Sequence, residues 1–384
     1  MHRLAFLFAA LPTLAIAQTA SEPPAEAPLE VQPPPEPSPE GRVSAGGFEY
    51  HVYGFLRLKG GIIADDPNVA FVGRNDGFVL QNARLGLEGG YGKRLGFRIS
   101  ADGAVDERAG ANATEGILRF ALKDAYLDVH ILSALSVRVV RFEPIFDLEE
   151  IVPYTERAFI DRSLESRGVL ATQGFETAGL SPGRSIGVAV RADRLAALGP
   201  MALGYELAVT NGNGEYESQN DNDLQAYSGA VFLTWGRSLL FAAGRQKSRT
   251  VGELPFRQTE NDLAGAAGAR LAIGPVEVAA QAIARHTTFP TTGGPAENSA
   301  GAHAQIAVGL ALGGAARVTP GYRFAILDPS DLISTDLVQE HTFGATLGLA
   351  AVPLRLQVNY THAAEQAQRS LSNDRFELAF EVAL

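Results

Sequence analysis

From Phe48 onward the chain alternates between apolar and polar residues in runs of about ten. The last run shows it best: Phe376, Leu378, Phe380, Val382 and Leu384 are apolar, with Glu377, Ala379, Glu381 and Ala383 between them. A period of two gives a strand with one oily and one polar face. The pattern predicts strands near 48–59, 77–89, 92–104, 117–132, 135–143, 184–194, 200–210, 224–236, 238–249, 259–273, 275–287, 301–313, 315–327, 337–351, 353–364 and 373–384. Tight reversals join alternate pairs: Gly89-Gly90-Tyr91-Gly92, Ile273-Gly274-Pro275, Gly313-Gly314 and Val352-Pro353. The other connections are long and polar, such as Asn211 to Asp223 and Thr287 to Ala300. This division gives sixteen strands, seven short turns and eight long loops; a misread hairpin would leave fourteen or eighteen. The strand near 135–143 is the weakest, because Val139-Val140 breaks its alternation.

With no second sheet to cover so much apolar face, lipid is its expected partner. The expected fold is all-β: a transmembrane antiparallel up-and-down β-barrel over residues 48–384, short turns on the periplasmic side and long loops outside. A soluble β-sandwich is the alternative, though such folds rarely need sixteen strands in one run.

Parity then assigns faces, since Arg or Lys on the lipid side costs roughly 2–4 kcal/mol at the midplane. Leu354, Leu356, Val358 and Tyr360 face out, and Arg355, Gln357, Asn359 and Thr361 face in. The expected pore lining includes Arg84, Arg98, Asp124, Asp128, Arg138, Arg191, Arg270, Arg285, Arg317, Arg323 and Arg355. A barrel of this size leaves room for water. Opposed arginines and carboxylates would either set a field across that water or pair along the wall and stiffen it.

The connection from Glu143 to Arg184 is far longer than its neighbours, and loops of such length are usually functional. It is expected to fold inward between the fifth and sixth strands, with an external lid as the alternative. Its candidates for a constriction are Glu143, Asp147, Glu149, Glu150, Arg157 and Arg162, and its surplus of acids would bring negative charge there.

Met1-His2-Arg3, the apolar run Leu4 to Ile16 and Ala15-Ile16-Ala17 form the layout of a cleaved export signal over residues 1–17. Residues 18–47 hold eight prolines between Pro23 and Pro39, interleaved with glutamates, and read as an extended, disordered periplasmic arm. There is no cysteine, so no disulfide framework forms. A net charge of -11 argues against nucleic acid as a partner. The seven histidines show no metal-ligand spacing and no nucleophile elbow is present, so neither cofactor nor enzymatic activity is expected. Asp221-Asn222-Asp223 lacks the rest of a calcium loop and reads as solvated, with a bridging cation at lipopolysaccharide as the alternative. Asn112-Ala113-Thr114 matches a glycosylation pattern that carries little weight in an exported bacterial barrel. The expected surroundings are outer-membrane lipid and lipopolysaccharide. The expected function is passive diffusion of small hydrophilic solutes and ions; a structural or adhesive barrel with a plugged lumen is the alternative.

Several stretches resemble the phosphate-selective porin O/P family. Gly77 to Leu85 is similar to its early "G-F-x-x-R-x-A-R-L" strand, and Leu122 to Leu127 to its "L-x-D-A-Y" strand. Arg138 to Phe146 resembles "R-x-G-x-F-K-x-P-F", Glu156-Arg157 with Asp161-Arg162-Ser163 its "E-R-S" region, and Gly183 to Val188 its "G-R-D-I-G-V". Thr210 to Gly214 and Leu356 to Tyr360 complete the set in order along the chain. The resemblance implies a sixteen-stranded, homotrimeric outer-membrane channel whose third external loop folds inward, with anions such as phosphate passing along arginines. The chain departs from the pattern at Glu143, where the family tends to lysine, at Val140 in place of glycine, and at Leu384 in place of a terminal phenylalanine. Its only lysines are Lys59, Lys93, Lys123 and Lys247.

Overall fold

The computed structural model describes residues 42–45, 47–74, 76–103, 120–132, 134–212, 219–220, 222–252, 255–313, 316–349, 352–366 and 370–383. The chain divides into two units, Met1–Ser38 and Pro39–Leu384, and the described residues belong to the second. The export signal, most of the Pro-rich arm, Asn112-Ala113-Thr114, Asp221 and Leu384 lie outside the described residues.

The chain order begins β1 (Arg42–Ala45), β2 (Phe48–Ile63), β3 (Gly77–Tyr91), β4 (Leu95–Asp102), β5 (Ala121–Leu132) and β6 (Leu135–Phe142). The long connection follows, with α1 (Leu148–Ile151), a 3₁₀ turn (Tyr154–Glu156), α2 (Leu164–Arg167), and the small pair β7 (Gly168–Val169) and β8 (Thr177–Ala178). Then come β9 (Ser185–Leu198), β10 (Met201–Thr210), β11 (Ala226–Trp235), β12 (Ser238–Val251), β13 (Gln258–Ile273) and β14 (Val276–Thr288). The last third holds β15 (Glu297–Val308), β16 (Leu310–Ala311), β17 (Ala316–Asp328), β18 (Val338–Leu349), β19 (Leu354–Glu365) and β20 (Arg375–Ala383).

Neighbouring strands pair antiparallel, and β20 returns to β2 from Phe55↔Ala383 to Ile63↔Arg375. The sheet therefore closes into a sixteen-stranded barrel; β16 merely prolongs β15, and β1 is an addition. β20 reaches only to Phe55, which leaves the first residues of β2 as an overhang. β1 pairs there, from Arg42↔His51 to Ala45↔Phe48. The end of the arm thus hydrogen-bonds an edge that would otherwise stand open.

Alternation holds where lipid and lumen oppose each other. Along β20, Arg375, Glu377, Ala379 and Glu381 are buried while Phe376, Leu378 and Phe380 are exposed on the outside. Several strands overrun their predicted ends: β2 continues to Ile63, β12 to Val251, and β15 starts at Glu297. There the backbone ladder outlasts the apolar pattern, as polar outward groups such as His286, Asn298 and Asp331 bond one another. Tyr322 bonds His341 at 2.7 Å, and His341 stacks on His362 at 6.3 Å, within the aromatic belt expected at a lipid–water boundary.

Val140 is an exception. It holds φ +86, the one non-glycine residue in that region among those described. The break sits where Arg141 and Phe142 both turn to buried partners. The Arg141 guanidinium donates to the Leu122 and Lys123 carbonyls at 3.0 Å, where β5 and β4 slip register.

Candidate functional site

The connection from Glu143 to Arg184 lies inside the barrel, held first by an apolar contact. Phe146, Leu148, Leu164, Val169 and Leu180 of the loop pack on Phe232, Leu239, Phe241, Ala266, Ala279, Ile283, Ala325 and Leu327 of the wall. Each large side chain buried there contributes about 1.5–3 kcal/mol. The lumen is therefore not polar throughout. A side chain at Gly301 would meet the Glu165 Cβ at 2.4 Å, so glycine is what lets α2 approach β15 so closely.

Polar clamps then fix the loop on several strands. Arg167 donates to both Glu340 oxygens at 2.7 and 2.9 Å, and Arg375 donates to the same carboxylate at 2.9 Å. Lys59 bridges Asp161 at 2.9 Å and Glu377 at 3.2 Å. Gln281 bonds the Leu148 N–H and the Asp147 carboxylate. Glu206 accepts from the Ile145 N–H at 2.8 Å. Arg355 donates to the Tyr154 and Thr155 carbonyls, and Thr346 and Gln357 to the Ala158 carbonyl.

The acidic surplus of the loop is spent on these partners rather than presented to a passage. Glu149 accepts from Arg323 at 3.3 Å and from the Ser163 N–H and hydroxyl at 2.6 Å. Burial opposes its charge, but the nearby cations and Ser163 hold its carboxyl at about 2. Burial likewise opposes the charge of Asp161, and Lys59 and Arg167 hold its carboxyl well below the usual range. Glu143 pairs with Arg184 at 2.9 Å, and Arg162 pairs with Glu150 at 3.1 Å and bonds the Tyr154 hydroxyl at 3.2 Å. Burial and the neighbouring Glu149 push Asp147 up. Arg157 lies over the Tyr154 ring at 3.7 Å. Most of these carboxylates are buried beside cations, since ion pairing is what permits a charged loop to dock, while Asp147 bonds the Glu149 N–H and Gln281.

The wall arginines divide into two groups. Most meet a carboxylate on the adjoining strand. Arg84 faces Asp102 at 3.3 Å, Arg98 faces Glu88, and Arg138 grips Asp128 through two bonds of 2.7 Å. Arg191 meets Asp193 at 2.6 Å and Glu206 at 3.5 Å, Arg270 meets Glu277 at 2.9 Å, and Arg355 meets Glu381 at 3.3 Å. Asp124 is buried and accepts from Arg184 at 2.8 Å. Arg98 and Arg138 also lie over the Tyr53 and Tyr126 rings, at 5.3 and 3.8 Å. Arg323 does not line open wall: it sits beneath the loop, 2% exposed, donating to the Asp161 and Arg162 carbonyls.

The second group, Arg285 and Arg317, has no carboxylate within ion-pairing distance among the described residues, while Arg245 faces Asp262 and Glu150 at longer range. Arg245 and Arg285 flank Ala264 across three adjoining strands, and Arg285 bonds only the Ser299 hydroxyl, at 3.1 Å. Arg317 lies against Gly309 at the short-turn end. It helps line a cavity of about 230 Å³ with Arg157, Arg237, Arg355, Glu156 and Glu277. Parity placed Arg285 and Arg317 on the wall; Arg245 was missed, although it shares parity with Lys247 on β12. Arg57 and Lys59 were missed too, despite alternating with Leu56 and Leu58.

A closed sixteen-stranded barrel with an oily exterior and a charged, loop-narrowed interior is an outer-membrane porin, a channel for passive diffusion. The sequence profile of phosphate-selective porin O and P matches residues 56–266, and the chain belongs to that family. Nothing among curated proteins matches its sequence. Among solved structures, the in-vitro folded trimer form of OmpT from Vibrio cholerae superposes with TM-score 0.60 at 10% identity, covering 88% of this chain and 100% of that one. The outer-membrane channel DcaP of Acinetobacter baumannii gives 0.56 at 17% identity, with 90% and 99% covered. The anion-selective porin from Comamonas acidovorans gives 0.57 at 14% identity, with 88% and 100% covered. At such identities the likeness is one of fold.

Proposed function

We propose that this porin passes small hydrophilic solutes with a weak preference for anions, and that Arg285 and Arg317 set the preference. The observation that carries it is that, among the described residues, neither has a carboxylate within ion-pairing distance. Arginines already paired across the wall contribute little net field, since each faces an opposite charge within hydrogen-bond reach. These two cations lie on β14 and β17, toward opposite ends of the lumen.

Reversal potential in a salt gradient tests this. The wild-type channel is expected to favour chloride over potassium. One unpaired charge at about 4 Å in water is worth on the order of 1 kcal/mol, so removing both lowers the permeability ratio about fivefold or more. Removing Arg138 and Asp128 together leaves the ratio near wild type. A cation-selective wild-type channel defeats the reading. A silent barrel supports the plugged alternative.

Export with loss of residues 1–17 and assembly as a homotrimer complete the reading. They are supported by the signal layout and by the trimer form of one structural neighbour. The mass of the detergent-solubilised particle is expected to equal three copies of the shortened chain; a single copy rules out the trimer.

A further inference from the structure

Acids and cations are interleaved at the neck of the loop. Glu143 and Glu150 stand side by side there, with the Asp147 carboxyl beside Glu150. Arg162 donates to Glu150 at 3.1 Å, and the Ser181 hydroxyl, near the returning end of the loop, donates to the same oxygen. Arg184 holds Glu143 at 2.9 Å and Asp124 of β5 at 2.8 Å. Arg245 reaches toward Glu150 from β12.

One oxygen of each glutamate, Glu143 Oε1 and Glu150 Oε2, is buried without a hydrogen-bond donor. Carboxylate oxygens only accept, so two of them satisfy each other only when one carries a proton. Glu150 also links three separated parts of the loop: α1, Arg162 and the returning Ser181. Its protonation state therefore bears on whether the loop stays folded inward.

We propose that a proton shared between Glu143 and Glu150 latches the loop at its neck, and that loss of this proton in alkaline medium releases the loop and widens the passage. Burial, with Glu143 adding to it, pushes Glu150 from its ordinary 4.5 up to about 8, while Glu143 stays low beside Arg184. A raised carboxyl value means the docked loop binds more protons than the free one between pH 4.5 and about 8. Docking is therefore strongest in acid, weakens as pH rises through that window, and has lost this contribution above it.

The test is single-channel conductance in planar bilayers from pH 6 to 10, resting on the porin reading above. In the wild type, conductance and open-channel noise are expected to rise by half or more as pH passes about 8. Glu150→Gln keeps a donor toward Glu143 without a titrating proton, and its profile is expected to be flat. Glu143→Gln removes the same repulsion and is expected to flatten the profile as well, which covers a failure of the first variant to fold. A wild-type channel that conducts equally at pH 6 and pH 9 overturns the latch alone. A parallel rise in wild type and both variants also overturns it. A wild type silent at every pH from 6 to 10 overturns the porin reading, and with it the latch that rests on it.

Discussion

Arg167→Ala is expected to undock the lumen loop and raise single-channel conductance severalfold, while the barrel itself stays folded. Arg167 is 1% exposed and makes bonds in three directions: to Glu340, to the Arg162 and Gly168 carbonyls, and to Gln173. Truncation leaves Glu340 buried with Arg375 as its remaining cation. Breaking a buried ion pair from one side costs roughly 3–5 kcal/mol. That loss falls on the docked loop, because the strand ladders do not depend on Arg167. The apolar contact around Phe146 and Leu164 opposes release, and of its loop residues Leu164 shares α2 with Arg167. Bilayer recordings would show larger, noisier openings, and limited proteolysis would cut near residues 160–175. Wild-type conductance together with wild-type protease resistance would refute the clamp.

Val140→Gly is expected to stabilise the barrel. A β-branched residue at φ +86 is held against its own sterics, at a cost of order 1–3 kcal/mol. Glycine adopts that angle freely but loses about 0.5–1 kcal/mol of chain entropy on folding. The net gain expected is about 1 kcal/mol, since the Val140 side chain is half exposed and gives up little burial. The folding midpoint in urea, measured in liposomes, should move upward. A lower midpoint would mean that the valine side chain contributes more than its backbone strain costs.

The barrel was legible because one constraint acts on every strand: lipid on one side and water on the other. β19 and β20 show it, with parity alone assigning each face. The inner apolar surface was not read, because the same rule predicts polar residues inward. Yet Phe232, Phe241, Ile283 and Leu327 face in, since a folded loop covers them. A signal existed: Val231-Phe232-Leu233 and Leu239-Leu240-Phe241 are apolar on both parities, as strands covered on both faces are. The pairing of charges was hidden for another reason. Arg84↔Asp102, Glu88↔Arg98, Asp128↔Arg138 and Glu206↔Arg191 stand directly opposite across neighbouring strands. Seeing them requires register to a single residue, and strand ends read from a pattern are uncertain by more than that. Hence the arginine count suggested a field, while most of those arginines are neutralised by the strand beside them.

Lys59 belongs to the first stave and Glu377 to the last, 318 residues apart, and the loop's Asp161 meets that lysine between them. Asp161 also draws in Gln81, while Arg323, Glu340 and Arg375 hold the rest of the loop from the far end of the chain. Half of the loop's moorings therefore do not exist until the C-terminal third is in place. The element that narrows this channel is an early piece of chain that waits for the late pieces to give it a seat. The seat that fixes the bore is therefore complete only in the closed ring.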